Sequence, residues 1–465
     1  TRSLCDWSSD VCSSDLDDAI VDAAFRQAGI IRVSNVDELF DIAGAFRSCP
    51  IPAGNRVAIL SEGGGDNSIA ADNAERFGLE VPVLSPETQQ TIKPFLLEGM
   101  PASNPIDYGG TAEENPHMIS ECVKACMESD EIDCVYITGF FGGFKDIIAS
   151  HVGVLEENTS RELVKLVEQY GKPLVVHTSF ARGGITSVEI LKDGGVPVFE
   201  PSERAAECLG ALAAYGAYRS KLAGRAVPVP DPRPIPEVTA LCEAVSRDGR
   251  KNLLETESRD LLSLYGLAMP DAVLATSVDE ACRAVAGFGR PTAFKIVCSD
   301  IIHKSDAGGI KLNVGSSDEA KAAFDRIIEN ACKVSEPGRI RGTLISAMAP
   351  EGQECIAGMI RDPQFGPVIM FGLGGIFVEI LKDVSFRVAP LEDRDIDEMI
   401  GEIKSYPLLA GARGRKPRDL EAVRGILRIL SRIAIDNPQI SEIDLNPMLV
   451  HEHGVSIVDS RILLK

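Results

Sequence analysis

Apolar positions in this chain keep two rhythms. DDAIVDAAFRQAG carries them at helical spacing and stops at Gly29, and VDELFDIAGAFRSC repeats the pattern. Pro50, Pro52 and Gly54 then mark a boundary. Between residues 55 and 225 short unbroken apolar runs (RVAIL, CVYITGFFGG, PLVVHTSF) alternate with helical stretches such as DNSIAADNAERFG and SRELVKLVEQYG. Alternation at this spacing predicts an α/β domain over 51–225 with a doubly wound parallel sheet, whose ligands bind beyond the carboxyl ends of the strands. Residues 226–238, AVPVPDPRPIPEV, hold five prolines and predict a stiff, extended linker. From 239 to 465 the order changes. Strands PTAFKIVC, GGIKLNV, GTLISAMA, ECIAGMIRD and GPVIMFGLG are spaced by helices SVDEACRAVAGFG and DEAKAAFDRIIENACKV. A helical region near 392–436 and a terminal strand pair, EIDLNPMLV and VSIVDSRI, complete a two-lobed α+β domain.

The remaining arithmetic narrows the function classes. The chain has 465 residues, 45% hydrophobic and 25% charged, enough for more than one core. No apolar run approaches the ~20 residues that span a bilayer, which argues against a membrane role. Lys and Arg total 47 against 69 Asp and Glu, a formal charge of -22. Nucleic-acid binding needs a basic surface, so nucleic acid is not an expected partner. Twelve cysteines contain no C-x-x-C pair, the nearest spacing being Cys122-x-x-x-Cys126. With six histidines, none beside a cysteine pair, no structural zinc site is expected, and the pattern suits a reducing, cytoplasmic compartment. Residues 1–16, TRSLCDWSSDVCSSDL, lack the apolar stretch of a signal peptide. They resemble the translated sequencing adaptor seen at the ends of some metagenomic reading frames, and are set aside as non-native.

Chemistry concentrates at a few places. His303 stands in the polar loop Ile302-His303-Lys304-Ser305-Asp306-Ala307-Gly308-Gly309 between two strands. Glycines let backbone N–H groups approach phosphate, and imidazole can act as a nucleophile. By itself the loop reads equally well as a surface hairpin. Lys295 lies in the apolar strand PTAFKIV, where a charge is costly unless paired. A nucleotide phosphate would be such a partner; a strand-edge lysine would instead snorkel. In EIDLNP, Asp444 and Asn446 share one face of an extended strand, and Asp459 on the next strand can meet them. Hard oxygen donors in that number suit Mg²⁺. Gly374 and Gly375, followed by Glu379, form a second glycine cluster, either a phosphate cover or a tight turn. Gly63-Gly64-Gly65 opens a helix whose N-terminus could hold a phosphoryl group. Asn104-Pro105-Ile106-Asp107 makes a similar later turn.

These segments occur in order over roughly 170 residues, and the set closely resembles the ATP-grasp domain of NDP-forming acyl-CoA synthetases, relatives of succinyl-CoA synthetase. Residues 51–225 resemble the family's flavodoxin-like CoA-ligase domain, and the helices of 17–50 resemble the tail of a preceding one. The resemblance implies ATP or ADP, Mg²⁺ and CoA as cofactors and a small carboxylic acid as substrate. His303 would be the ATP-side phosphohistidine and Lys295 the phosphate-binding lysine. Asp444, Asn446 and Asp459 would bind magnesium, and Gly308 and Gly309 would form the phosphate loop. Met348 and Glu354 would flank adenosine, and Gly374, Gly375 and Glu379 would close over the nucleotide. The partners implied are the CoA-binding domain of the same full-length protein and further copies in a homo-oligomer. That CoA-binding domain and the Ser-His-Thr-Gly-Ala motif of the family's first phosphohistidine are absent, so this chain would carry the nucleotide-side half. The alternatives are a non-catalytic ATP-binding regulatory module and a ligase joining a carboxylate to an amine.

Overall fold

The computed structural model describes residues 13–223, 231–301, 304–374, 383–414 and 416–465. The chain divides into two compact units, Gly29–Ala226 and a second that joins residues up to Ala28 with Val227–Lys465.

The first unit is built on five parallel strands: β1 (Val57–Ser61), β2 (Ile106–Asp107), β3 (Cys134–Thr138), β4 (Leu174–His177) and β5 (Val198–Phe199). Their order is β2-β1-β3-β4-β5. This is the flavodoxin-like order, with its switch point between β1 and β3. Every residue of β1 and β3 is buried, as a sheet covered on both faces requires. Alternate residues serve alternate cores. Ala58, Leu60, Val135, Ile137 and Val176 join one cluster, and Val57, Ile59, Tyr136 and Val175 the other. The Asn104 turn serves the scaffold: its amide accepts from Ile59 N at 3.0 Å and donates to Val57 O at 2.9 Å, sealing the side of β1 ahead of β2.

The second unit holds two antiparallel sheets. The smaller contains β6 (Ala272–Ala275), β7 (Thr292–Cys298), β8 (Ile310–Val314) and β9 (Ile340–Ala347), in the order β6-β9-β7-β8. Helices Val278–Phe288 and Ser317–Val334 pack on one face, through Val285, Phe324 and Ile327 against Phe294, Ile296 and Ile345. The larger holds β10 (Gln353–Asp362), β11 (Gly366–Leu373), β12 (Val384–Val388), β13 (Ile440–Val450), β14 (Val455–Ile457) and β15 (Arg461–Leu464). Its order is β12-β11-β10-β13-β14, with β15 also on β13. Helices Asp393–Glu402 and Leu420–Asp436 bury Met399, Leu427 and Leu430 on one face. On another face lies helix Ser13–Ala28, whose Ile20 and Ala23 pack on Ile356, Val368, Met370 and Phe386. Gln27 ties it to the sheet, donating to Val388 O at 3.1 Å and accepting from Val388 N at 2.7 Å.

A parallel α/β domain followed by a region of two antiparallel sheets is thus the fold. Details differ from the sequence reading. The terminal run VSIVDSRI is two strands, both on β13, with Asp459 in the break between them. The physical reason lies in β13: its register against β10 slips at Asn446-Pro447, where three steps of β13 face two of β10. Helix Ser13–Ala28 begins inside the segment set aside as adaptor-like, residues 1–12 of which lie outside the described residues.

Candidate functional site

Alternation along β7 sets the site. Phe294, Ile296 and Cys298 turn into the helix-covered core, so Lys295 takes the other face. There Lys295 is buried, with 5% of its surface exposed. Its ammonium donates to Val458 O at 2.7 Å and to Glu255 Oε1 at 3.1 Å, and lies 3.3 Å from Asp459 Oδ1. Glu255 opens the helix Glu255–Leu264, where the helix dipole favours a carboxylate. It too is buried, at 5%. A second ammonium completes the group: Lys304 pairs with Glu255 Oε2 and meets Asp459 Oδ1 at 3.0 Å. Two lysines and two carboxylates therefore neutralise one another in a poorly solvated place, where each depends on the others.

Electrostatics follows from this packing. Burial alone would push the Asp459 carboxyl up, yet the charges of Lys295 and then Lys304 hold it down at about 2. Burial opposes the charge on Lys304, but Asp459 and then Glu255 keep its pKa above the usual lysine range. Lys304 is therefore charged and the Asp459 carboxylate ionised at neutral pH.

Asp444, Asn446, Asp459, Glu255 and Lys304 line one cavity of about 70 Å³. The magnesium residues predicted from sequence are thus brought together, beside Lys295. Asp444 is buried on β13 opposite Gly358, and the β13 irregularity falls at Asn446. No group of three or more His, Cys, Asp or Glu side chains stands at metal-binding range among the described residues. Two carboxylates and one amide oxygen fit Mg²⁺, which takes few protein carboxylates and completes its shell with water and substrate phosphate.

The other predicted residues fall elsewhere. His303, Gly375 and Glu379 lie outside the described residues. Gly308 N donates to Ser305 O at 3.0 Å and Gly309 N to Lys304 O at 2.7 Å, so here the loop glycines close a turn. Gly308 has φ +61°, and a Cβ on Gly309 would sit 2.4 Å from Ile296 Cγ2. Met348 is half-buried just beyond β9, its N–H on Pro291 O at 2.8 Å. Glu354 is exposed at the start of β10, and its carbonyl accepts from Gly374 N at 2.9 Å. Glu354 and Gly374 meet; among the described residues no hydrogen bond or ion pair joins them or Met348 to the lysine–carboxylate cluster. Sequence reasoning missed Glu255. Its only signal was the demand of Lys295 for a buried anion, which a residue 40 positions away satisfies.

The first unit has its own polar edge at the switch point. Glu62, just past β1, accepts from Phe140 N at 3.2 Å, beyond β3. Burial pushes its carboxyl up to about 7, against hydrogen bonds that lower it. His177 Nδ1 shares a 2.6 Å hydrogen bond with Thr138, and burial lowers its pKa. Helix Gly64–Arg76 starts beside them with no side-chain cap at Gly63.

Comparison with known proteins bears on both units. The ATP-grasp domain family matches residues 244–464. Acetate–CoA ligase [ADP-forming] I of Archaeoglobus fulgidus is 35% identical over 95% of this chain, which spans 61% of that protein's length. The beta subunit of acetate–CoA ligase [ADP-forming] I from Pyrococcus furiosus is 50% identical, over 46% of this chain and 91% of its own. Among solved structures, acetyl-coenzyme A synthetase 1 of Ca. Korarchaeum cryptofilum is 45% identical, covering 49% of this chain and 99% of that chain with a TM-score of 0.47. Half of all positions shared across nearly the whole of a ligase subunit leaves one assignment: the chain belongs to the family of ADP-forming acyl-CoA ligases.

Proposed function

We propose that this chain carries the nucleotide-side half of acid–CoA ligation: carboxylic acid, CoA and ATP give acyl-CoA, ADP and phosphate by way of a phosphohistidine at His303. The observation that carries this reading is the cavity where Asp444, Asn446 and Asp459 converge with Lys304, the neighbour of His303 in the chain, beside Lys295.

Lys295 would neutralise nucleotide phosphate from a fixed position, since its strand and Val458 O already orient it. Asp444, Asn446 and Asp459 would hold Mg²⁺, which supplies charge neutralisation to the phosphates when bound. His303 would take the terminal phosphoryl group, a nitrogen–phosphorus bond forming as the bridging phosphorus–oxygen bond breaks. Phosphoryl transfer asks for in-line positioning and charge neutralisation more than for covalent help. Gly308, Gly309, Gly374, Gly375 and Glu379 would shape the phosphate enclosure, and Met348 and Glu354 the adenosine end. The first unit would act as the CoA-ligase domain. The division of the chain at 226/227 supports a boundary within the predicted linker, whose last three residues, 236–238, instead open the helix Pro236–Arg247. Ten cysteines among the described residues are free thiols, and no helix there is long and apolar enough to cross a membrane; the thiols support a cytoplasmic enzyme.

Incubation with Mg²⁺ and γ-labelled ATP tests the reading. Acid-labile, base-stable label is expected on the protein and is lost in His303→Ala. A folded, ATP-binding protein that takes no label even when the CoA-binding domain is supplied would leave the binding-module alternative.

A further inference from the structure

The two lysines of the cavity are anchored differently. Lys295 is built into β7, fixed by a carbonyl as well as by carboxylates. Lys304 belongs to a loop and enters the cluster through its ammonium alone, on Glu255 and on Asp459 Oδ1 at 3.0 Å. Asp459 is also one of the three residues that the proposed function gives to the metal. Asp459 Oδ1 already serves both ammonium groups, at 3.3 Å from Lys295 and 3.0 Å from Lys304, so a divalent ion on that carboxylate would add a third cation at contact distance and be strongly repelled.

The geometry points to Lys304 as a resident cation that occupies the metal-binding carboxylate of the free protein and is exchanged for Mg²⁺ when the metal nucleotide arrives. This rests on the metal reading of Asp444, Asn446 and Asp459. Three observations carry it. Lys295 and Lys304 balance Glu255 and Asp459, so withdrawing Lys304 leaves a net negative site facing Asp444, fit for a cation. Lys304 lines the same cavity of about 70 Å³ as Asp444, Asn446 and Asp459, so its ammonium and a metal ion on those residues would compete for one space. The turn behind Lys304 is held without its ammonium: Gly309 N bonds to Lys304 O at 2.7 Å, and Asn330 Nδ2 to Gly308 O at 3.2 Å. The ammonium on its flexible four-carbon stem can therefore leave while the turn stays. Since His303 directly precedes Lys304, the exchange would remove an ionic tether beside the proposed nucleophile at the moment the nucleotide binds.

Titration with Mn²⁺ in the presence of ADP, followed by electron paramagnetic resonance on the full chain, tests the exchange. Lys304→Met is expected to bind Mn²⁺ roughly tenfold more tightly, because the metal no longer competes with an ammonium. Lys304→Arg, which keeps the charge, is expected to restore the wild-type affinity. Unchanged or weaker binding in Lys304→Met overturns the exchange, provided that Asp459→Asn abolishes Mn²⁺ binding. If Asp459→Asn and Asp444→Asn both bind like wild type, the metal reading itself fails, and the inference with it. A second measurement needs no variant. Amine acetylation of the wild-type protein, read by mass spectrometry, should rise at Lys304 on adding Mg²⁺ and ADP while Lys295 stays protected. Continued protection of Lys304 in the nucleotide complex overturns the proposal.

Discussion

Glu255 answers two ammonium groups with one carboxylate, and it does so from a place almost without solvent. Its replacement by Gln leaves the charge of Asp459 to balance both Lys295 and Lys304. Breaking a buried pair from one side costs about 3–5 kcal/mol, so Glu255→Gln should lower the unfolding free energy of this unit by about that much, read from its urea denaturation. Two other carboxylates make an opposite prediction. Burial pushes Glu62 and Glu156 up to about 7, Glu156 while accepting from Gly142 N at 2.5 Å. Unfolded, each would titrate near 4.5. The folded state therefore keeps protons that the unfolded chain has lost. Their contribution is complete below pH 4.5 and disappears as pH rises through about 7. Glu62→Gln with Glu156→Gln should flatten the pH dependence of melting between those limits; an unchanged slope would refute the assignment. Lys295 was legible in the sequence because a charge in an apolar strand demands an anion. Glu255 was not, since an acidic residue in the first turn of ETESRDLL is what any helix prefers. Lys304 was visible only as part of a loop, because nothing local says that its ammonium reaches a residue 155 positions away.

Among the elements, the strand runs were the most readable. RVAIL and CVYIT carry apolar side chains on both faces, and only a covered parallel sheet accommodates that. The ends of strands were less readable. The split of VSIVDSRI depends on a slip in β13, which Asn-Pro suggests as a turn but does not locate as a bulge. The glycine pair in the histidine loop shows the same limit. Gly309 reads as a phosphate contact, yet in the fold it also lets the turn press against β7. Gly309→Ala should destabilise by about 1–3 kcal/mol, because its Cβ would meet Ile296 Cγ2 at 2.4 Å; melting of the variant checks this. A helix was foreseen from the spacing of DDAIVDAAFRQAG, but it begins four residues earlier, at Ser13. Its docking on β10–β12 was not, since an amphipathic stripe does not name the surface that will cover it. Ile20 is 2% exposed there, and Ile20→Ala should cost about 2–5 kcal/mol in chemical denaturation of this unit.

At the scale of the whole chain, the formal charge of -22 and the lack of a membrane-length apolar helix among the described residues limit the partners more than they define them. The division into units says more. One unit is continuous in sequence; the other is assembled from both ends of the chain. A fragment covering 231–465 lacks the helix that covers Ile356, Val368, Met370 and Phe386. It should melt lower and self-associate more than the same fragment with residues 13–28 fused to it, as sedimentation and calorimetry would show. Equal behaviour of the two would mean that the helix contributes little to that sheet.

The same arrangement has a consequence in time. On the ribosome, Ile20 emerges long before the sheet that will cover it. Phe386 follows ~370 residues later, roughly 20–70 s at ordinary elongation rates of ~5–20 residues per second. Through that interval the continuous unit can finish folding while the apolar stripe of the leading helix stays without its sheet. The nascent chain therefore has to keep that stripe from the wrong surfaces, whether by a chaperone or by the charges flanking it. Synthesis speed between the two points becomes a determinant of yield.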